Sequence, residues 1–210
     1  MPRRYGRSFL AVLMLVTLVG CGSSDNGAPV THISASDDDG YHGILLDEPY
    51  AVPDLALTDT EDKPFDLAAQ PRRTVVFFGY TNCPDVCQVV MSSIASAMAK
   101  LSADERQRLQ VAFVTTDPAR DTRSVLRTYL DRFDPDFVGL TGPLGRIVAL
   151  AKPMGIEISK GRKLPSGGYE VDHSTVVVSV RHGAGDLVWT APTSPSDMAD
   201  DLEKILKEDA

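Results

Sequence analysis

Cys83-Pro84-Asp85-Val86-Cys87 places two thiols four residues apart. On a helix that spacing is about one turn, with Cβ atoms about 5–6 Å apart, so both sulfurs can address one point. Pro84 is tolerated in a first helical turn, because the amide it lacks would be unpaired there anyway. The partial positive charge and open amides of a helix N-terminus favour thiolate, the form that binds metal or attacks a disulfide, so lowered thiol pKa values are expected. Two thiolates are soft ligands suited to Cu(I), zinc or an iron–sulfur cluster. Zinc asks for a fourth ligand and a cluster for about four cysteines, whereas the chain has only 3 in all. The candidate third donor is His173, in Tyr169-Glu170-Val171-Asp172-His173-Ser174. It is expected in a loop at a sheet end, just before a strand over 175–180. Two thiolates and one imidazole form a three-donor site that suits a copper ion to be received and handed on. The same dithiol is equally able to exchange disulfides. A lone peroxidatic cysteine is not the pattern. His182 falls in a presumed turn, and His32 and His42 lie in an acidic, loop-like stretch where solvation explains them.

These side chains need a scaffold, and the apolar pattern supplies one. Asp54–Thr58 and Lys63–Leu67 flank the polar Thr60-Glu61-Asp62 turn and read as a hairpin. Thr74–Tyr80 is a nearly continuous β-branched and aromatic run, the signature of a strand covered on both faces. Val86, Val90, Ile94, Ala97, Met98 and Leu101 then recur at helical spacing, so the cysteine pair falls at a strand-to-helix junction. A buried strand over 111–115, a helix marked by Val125, Leu126, Tyr129, Leu130 and Phe133, and a short strand over 137–140 follow. Leu144 to Ala151 is a helix that Pro153 ends. Strands over 175–180 and 187–190 are joined by a His182–Gly185 turn, and Ser194-Pro195-Ser196-Asp197 opens a last helix. This βαβαβ course closed by a hairpin and a helix predicts an α/β thioredoxin-like sandwich: a mixed central sheet flanked by helices, with an N-terminal hairpin. Thioredoxin itself carries a proline in the loop that holds His173 here, and two residues between its cysteines where this chain has three.

The chain ahead of that domain has a different character. Arg3, Arg4 and Arg7 lead into the apolar run Phe9–Val19, which reads as a signal peptide over 1–20 and is too short to span a bilayer comfortably. The following Leu18-Val19-Gly20-Cys21 resembles the lipobox of bacterial lipoproteins, which implies cleavage before Cys21 and a diacylglycerol on its thiol. Two alkyl chains suffice for stable anchoring where one does not. Residues 21–49, rich in Gly, Ser and Asp, are expected to form a flexible acidic tether, and 50–210 the folded domain. With 21 basic against 29 acidic residues the net charge is −8, and the first twenty residues hold three of the arginines and no acid. A remainder so acidic has no general field for nucleic acid.

Four segments together resemble one family. Phe78–Cys87, Thr116-Asp117-Pro118-Ala119-Arg120-Asp121-Thr122, Gly139-Leu140-Thr141-Gly142 and Val171-Asp172-His173-Ser174 look like the successive motifs of Sco/SenC copper proteins. The resemblance covers roughly residues 50–208. It implies a membrane-anchored thioredoxin-like domain that binds copper through Cys83, Cys87 and His173. It also implies a role in building the binuclear CuA centre of cytochrome c oxidase. The partners would be the copper-bearing oxidase subunit and another extracytoplasmic copper donor, met at the outer face of the cell membrane. Family members usually have proline after the second cysteine, where this chain has Gln88. Asp117 matches the family's aspartate motif and is a possible outer partner of the metal site. The other reading of Asp117 is an ion-pair loop with Arg120 and Asp121. Two functions stay open: a metallochaperone without turnover, or a thiol–disulfide oxidoreductase that reduces the cysteines of the oxidase copper site.

Overall fold

A computed structural model describes residues 40–84, 86–163, 169–173, 175–191 and 193–209, with the backbone alone at 160, 162–163 and 169–173. Cys21, His32, the signal-peptide segment and most of the expected tether lie outside the described residues. The strands are β1 (Ile44–Ala51), β2 (Ala56–Asp59), β3 (Pro64–Asp66), β4 (Arg73–Gly79), β5 (Leu109–Thr115), β6 (Val138–Thr141), β7 (Ile158–Lys163), β8 (Tyr169–His173), β9 (Val177–Arg181) and β10 (Ala184–Trp189). The helices are α1 (Val86–Lys100), α2 (Ala103–Arg108), α3 (Arg123–Leu130), α4 (Leu144–Ala151) and α5 (Pro195–Glu208), with a short 3₁₀ turn at Lys152–Met154.

Eight strands form one sheet in the order β1-β10-β9-β4-β5-β6-β2-β3. β4, β5 and β6 run parallel, and β9, β10, β1 and β2 close the sheet with antiparallel pairs. Right-handed crossovers from β4 to β5 and from β5 to β6 put α1 and α3 on one face. That face buries Val75, Phe77, Val111 and Phe113 together with α1, α3 and α5 residues. Val76, Phe78, Ala112 and Val114 alternate to the other face, under Ile147 and Leu150 of α4. Each such side chain, fully withdrawn from water, contributes about 1.5–3 kcal/mol. The expected thioredoxin-like sandwich with its mixed sheet and β2–β3 hairpin is what the chain forms.

Four features depart from the sequence reading. β1 begins at Ile44, so the end of the expected tether belongs to the sheet. Its Asp47-Glu48-Pro49 stretch breaks any apolar period, and pairing with β10 across a register shift is what makes it a strand. Helix α2 has no buried residue and so no periodicity to find, although Ser102 and Glu105 form a reciprocal capping box. The β9–β10 turn is tighter than His182–Gly185: the strands reach Arg181 and Ala184, leaving His182 (φ 50°) and Gly183 (φ 75°) as the two left-handed residues that a twisted hairpin prefers. Finally, the segment before β9 contains the separate antiparallel pair β7–β8.

Candidate metal and dithiol site

Thr81 to Pro84 connect the C-terminal end of β4 to α1, so the thiol pair sits at the end of the central parallel strands. In open α/β sheets ligands gather beyond the strand carboxyl ends. Cys83 is 5% exposed and Cys87 fully buried, and both are thiols outside any disulfide. The Cys83 amide donates to the Tyr80 carbonyl at 3.2 Å, folding the loop back, and Cys83 Sγ accepts the Cys87 amide at 3.4 Å. A sulfur thus takes one of the amide donors that a helix start leaves without an intrahelical partner. Gly79 makes this approach possible: a Cβ there would meet the Phe113 and Phe77 rings at 2.9 Å and Cys87 Sγ at 3.2 Å.

The lowered pKa expected at a helix start is not what Cys87 has. Its thiol is pushed well up, first by its hydrogen bond with Cys83 and then by burial, against an opposing backbone hydrogen bond with Tyr80. Asp121 nearby adds to the rise. The reduced pair therefore holds a proton at Cys87, because taking two sulfurs out of water disfavours a second negative charge beside the first.

A neighbouring carboxylate organises the loop. Asp121, 1% exposed, accepts from the Thr81 amide at 3.0 Å, Thr81 Oγ1 at 2.6 Å and Thr115 Oγ1 at 2.7 Å. Burial raises its pKa, and these hydrogen bonds oppose the rise. Sequence reading named Asp121 only as part of an ion-pair loop. Nothing in the sequence pointed further, since Asp121 becomes the partner of Thr81 only once β4 and β5 lie side by side. Asp117 is buried and its carboxylate pairs with Arg120. The Arg120 guanidinium lies 5.8 Å from the Tyr80 ring centre. The ion-pair loop considered for Asp117 is present.

His173 is the last residue of β8, at a strand end and not in a plain loop. Its register partner is Ile158, a half-buried residue packed against both apolar layers of the core, one of which includes Cys83 and Cys87. Among the described residues no group of three His, Cys, Asp or Glu side chains is assembled, and the His173 side chain is not among them. Gln88 is exposed on α1.

A thioredoxin-like domain with a Cys-x₃-Cys dithiol at the start of its first long helix is the class that the fold and this geometry define. The chain belongs to the SCO1/SenC family, whose pattern matches residues 47–207. It is similar to apo Sco1 of Thermus thermophilus, 31% identical with a TM-score of 0.71, covering 79% of this chain and 96% of that one. It is also similar to copper-bound yeast Sco1, 26% identical with a TM-score of 0.68, covering 76% and 90%. A Stutzerimonas stutzeri protein provisionally named as copper-binding is 37% identical over 132 residues, 62% of this chain and 64% of its own length. The match thus spans less than two thirds of that relative.

Proposed function

We propose that this protein is a membrane-anchored copper metallochaperone that delivers copper to the CuA centre of cytochrome c oxidase. The copper is cargo, held by Cys83, Cys87 and His173. The observation that carries the reading is the pair of adjacent reduced thiols at the head of α1, one sulfur bonded to a helix-start amide and the other to its partner. Family membership supports it, since Sco proteins form a family of cytochrome c oxidase assembly proteins. The resemblance of Val171-Asp172-His173-Ser174 to the family's motif supports the third ligand.

The chemistry follows from the donors. Cys83 and Cys87 release their protons as sulfur–copper bonds form, and soft thiolates select Cu(I). One imidazole completes three ligands and leaves room for an incoming ligand of the acceptor, so the ion can pass by exchange without first becoming bare. Asp121 holds Thr81, and with it the loop that presents Cys83. Cys21 is the lipid anchor in this reading and places the domain at the extracytoplasmic face of the cell membrane, within reach of the copper-bearing oxidase subunit and of an extracytoplasmic copper donor.

The second reading, a thiol–disulfide oxidoreductase acting on the oxidase copper-site cysteines, has its own support. The Cys87 thiol already contacts the Cys83 sulfur, as disulfide closure requires. His173→Ala separates the two. A chaperone should lose Cu(I) affinity by at least about tenfold, as loss of one metal ligand implies, keep its ability to close the disulfide, and leave cells with copper-deficient oxidase. Cells with fully metallated oxidase at limiting copper would instead establish the reductase reading.

A further inference from the structure

Tyr129 on α3 is 3% exposed, and its hydroxyl has no hydrogen-bond partner among the described residues. Buried hydroxyls are nearly always paired, and phenylalanine would fill this space without that cost. The ring packs against Phe113 at 5.3 Å and Phe133 at 5.2 Å between centres, with the Arg132 guanidinium 4.7 Å from its own centre. It belongs to the same apolar cluster as Cys83 and Cys87.

Long helical side chains lean toward the helix N-terminus. α1 and α3 both start beyond the C-terminal ends of neighbouring parallel strands, so the thiol end is the direction in which a long side chain on α3 is expected to lean. Phe113 is a shared neighbour: its ring packs on Tyr129, and a Cβ at Gly79 would meet both Phe113 and Cys87 Sγ. Burial, then Cys87, Cys83 and Asp121, raise the phenol's pKa against Arg132. The hydroxyl keeps its proton and, among the described residues, has no acceptor for it. A thiol sulfur accepts weakly and a thiolate strongly.

We propose that Tyr129 is a positioning residue of the thiol site, its hydroxyl donating a hydrogen bond to the Cys87 sulfur once copper has replaced the proton there. This rests on the copper reading of the Cys83–Cys87 pair. Two protons leave the thiols for solvent, two sulfur–copper bonds form, no oxidation state changes, and Tyr129 keeps its proton. The bond holds the loaded sulfur in place and draws electron density from it. A second-shell donor of this kind typically alters metal affinity by about 10–100-fold.

The test uses the full-length protein in detergent. Tyr129→Phe should weaken Cu(I) binding, measured by competition with bicinchoninate, by about tenfold, and should move the sulfur-to-copper charge-transfer band of the Cu(II) form to lower energy. The thermal midpoint of the copper-free variant should be equal or higher, since an unpaired hydroxyl is gone. Wild-type affinity with an unmoved band would overturn the proposal. Independently, 3-fluorotyrosine at position 129 alone should show a ¹⁹F shift on Cu(I) addition that Cys87→Ser abolishes; a resonance that ignores Cu(I) overturns the proposal without requiring the phenylalanine variant to fold. Wild-type protein that takes up no Cu(I) overturns the copper reading and this inference together, whereas uptake with an indifferent Tyr129 overturns this inference alone.

Discussion

Cys87 shows how packing redirects the chemistry of a residue. Four positions after Cys83 on a helix start, it would be expected to ionise readily, yet its hydrogen bond to Cys83 and its burial hold the thiol neutral. A raised folded-state pKa means that the proton is still present at neutral pH and must leave when metal binds. Apparent Cu(I) affinity should therefore climb with pH, by about tenfold per unit for each proton released. Competition titrations from about pH 6 to pH 8 measure the slope. A flat profile would mean that both sulfurs are already thiolates. Asp121 works on the same scale, since its carboxylate fixes Thr81 through two hydrogen bonds and thereby the approach to Cys83.

Helix α5 is held at both ends. Ser194 Oγ accepts the Asp197 amide at 3.1 Å, and Pro195 supplies the first turn. At the other end Asp209 takes two hydrogen bonds from Arg73, at 2.8 and 3.0 Å, and pairs with Arg181. Arg108 caps the Leu206 carbonyl at 2.6 Å. Burial is the largest single influence on Asp209 and pushes its pKa up, but Arg73 and Arg181 together outweigh it and hold the carboxyl below its usual range. For a depressed carboxylate the stabilising contribution is present above the unfolded-state pKa and is lost as pH falls through the folded value. Asp209→Asn should cost about 2 kcal/mol at neutral pH and flatten the acid limb of the stability profile. Urea titrations at neutral and acid pH measure both, and an unchanged acid limb would remove Asp209 from the account.

At the scale of the whole molecule the decisive boundary is the one ahead of β1. The His42 and Gly43 amides each donate to the Asp201 carboxylate at 2.8 Å, and Trp189 Nε1 reaches it at 2.7 Å. Leu46 is buried and β1 covers the edge of β10. A chain starting at residue 40 should keep the thermal midpoint of the full protein. One starting at residue 50 should lose about 3 kcal/mol or more and aggregate through the uncovered β10 edge. Equal midpoints for the two would make β1 dispensable. The proposed anchor belongs to the same series: the full chain should incorporate labelled lipid, and Cys21→Ser should stay unlipidated and poorly processed. Among the described residues no helix is long and apolar enough to cross a membrane.

Sequence alone determined what depends on local order. The nearly continuous apolar Thr74–Tyr80 run can only be an interior strand, the three- and four-residue spacing from Val86 to Leu101 can only bury one helix face, and Cys83 and Cys87 are brought together by one helical turn. Ser194 and Pro195 announced α5 because a cap is made within one turn of chain. What the tertiary structure decided depends on partners distant in sequence. β1 is a strand because β10 offers it an edge, although Asp47-Glu48-Pro49 argues against one. Among the described residues β7 and β8 pair with each other alone, and the alternation of Tyr169 and Val171 with Glu170 and Asp172 is too short to announce a strand without that partner. Asp121 serves the thiol loop because β4 and β5 are neighbours in register, setting Gly79 beside Thr115. The proton on Cys87 and the unpaired hydroxyl of Tyr129 are consequences of burial, and burial is a property of the packed molecule that spacing along a chain does not contain.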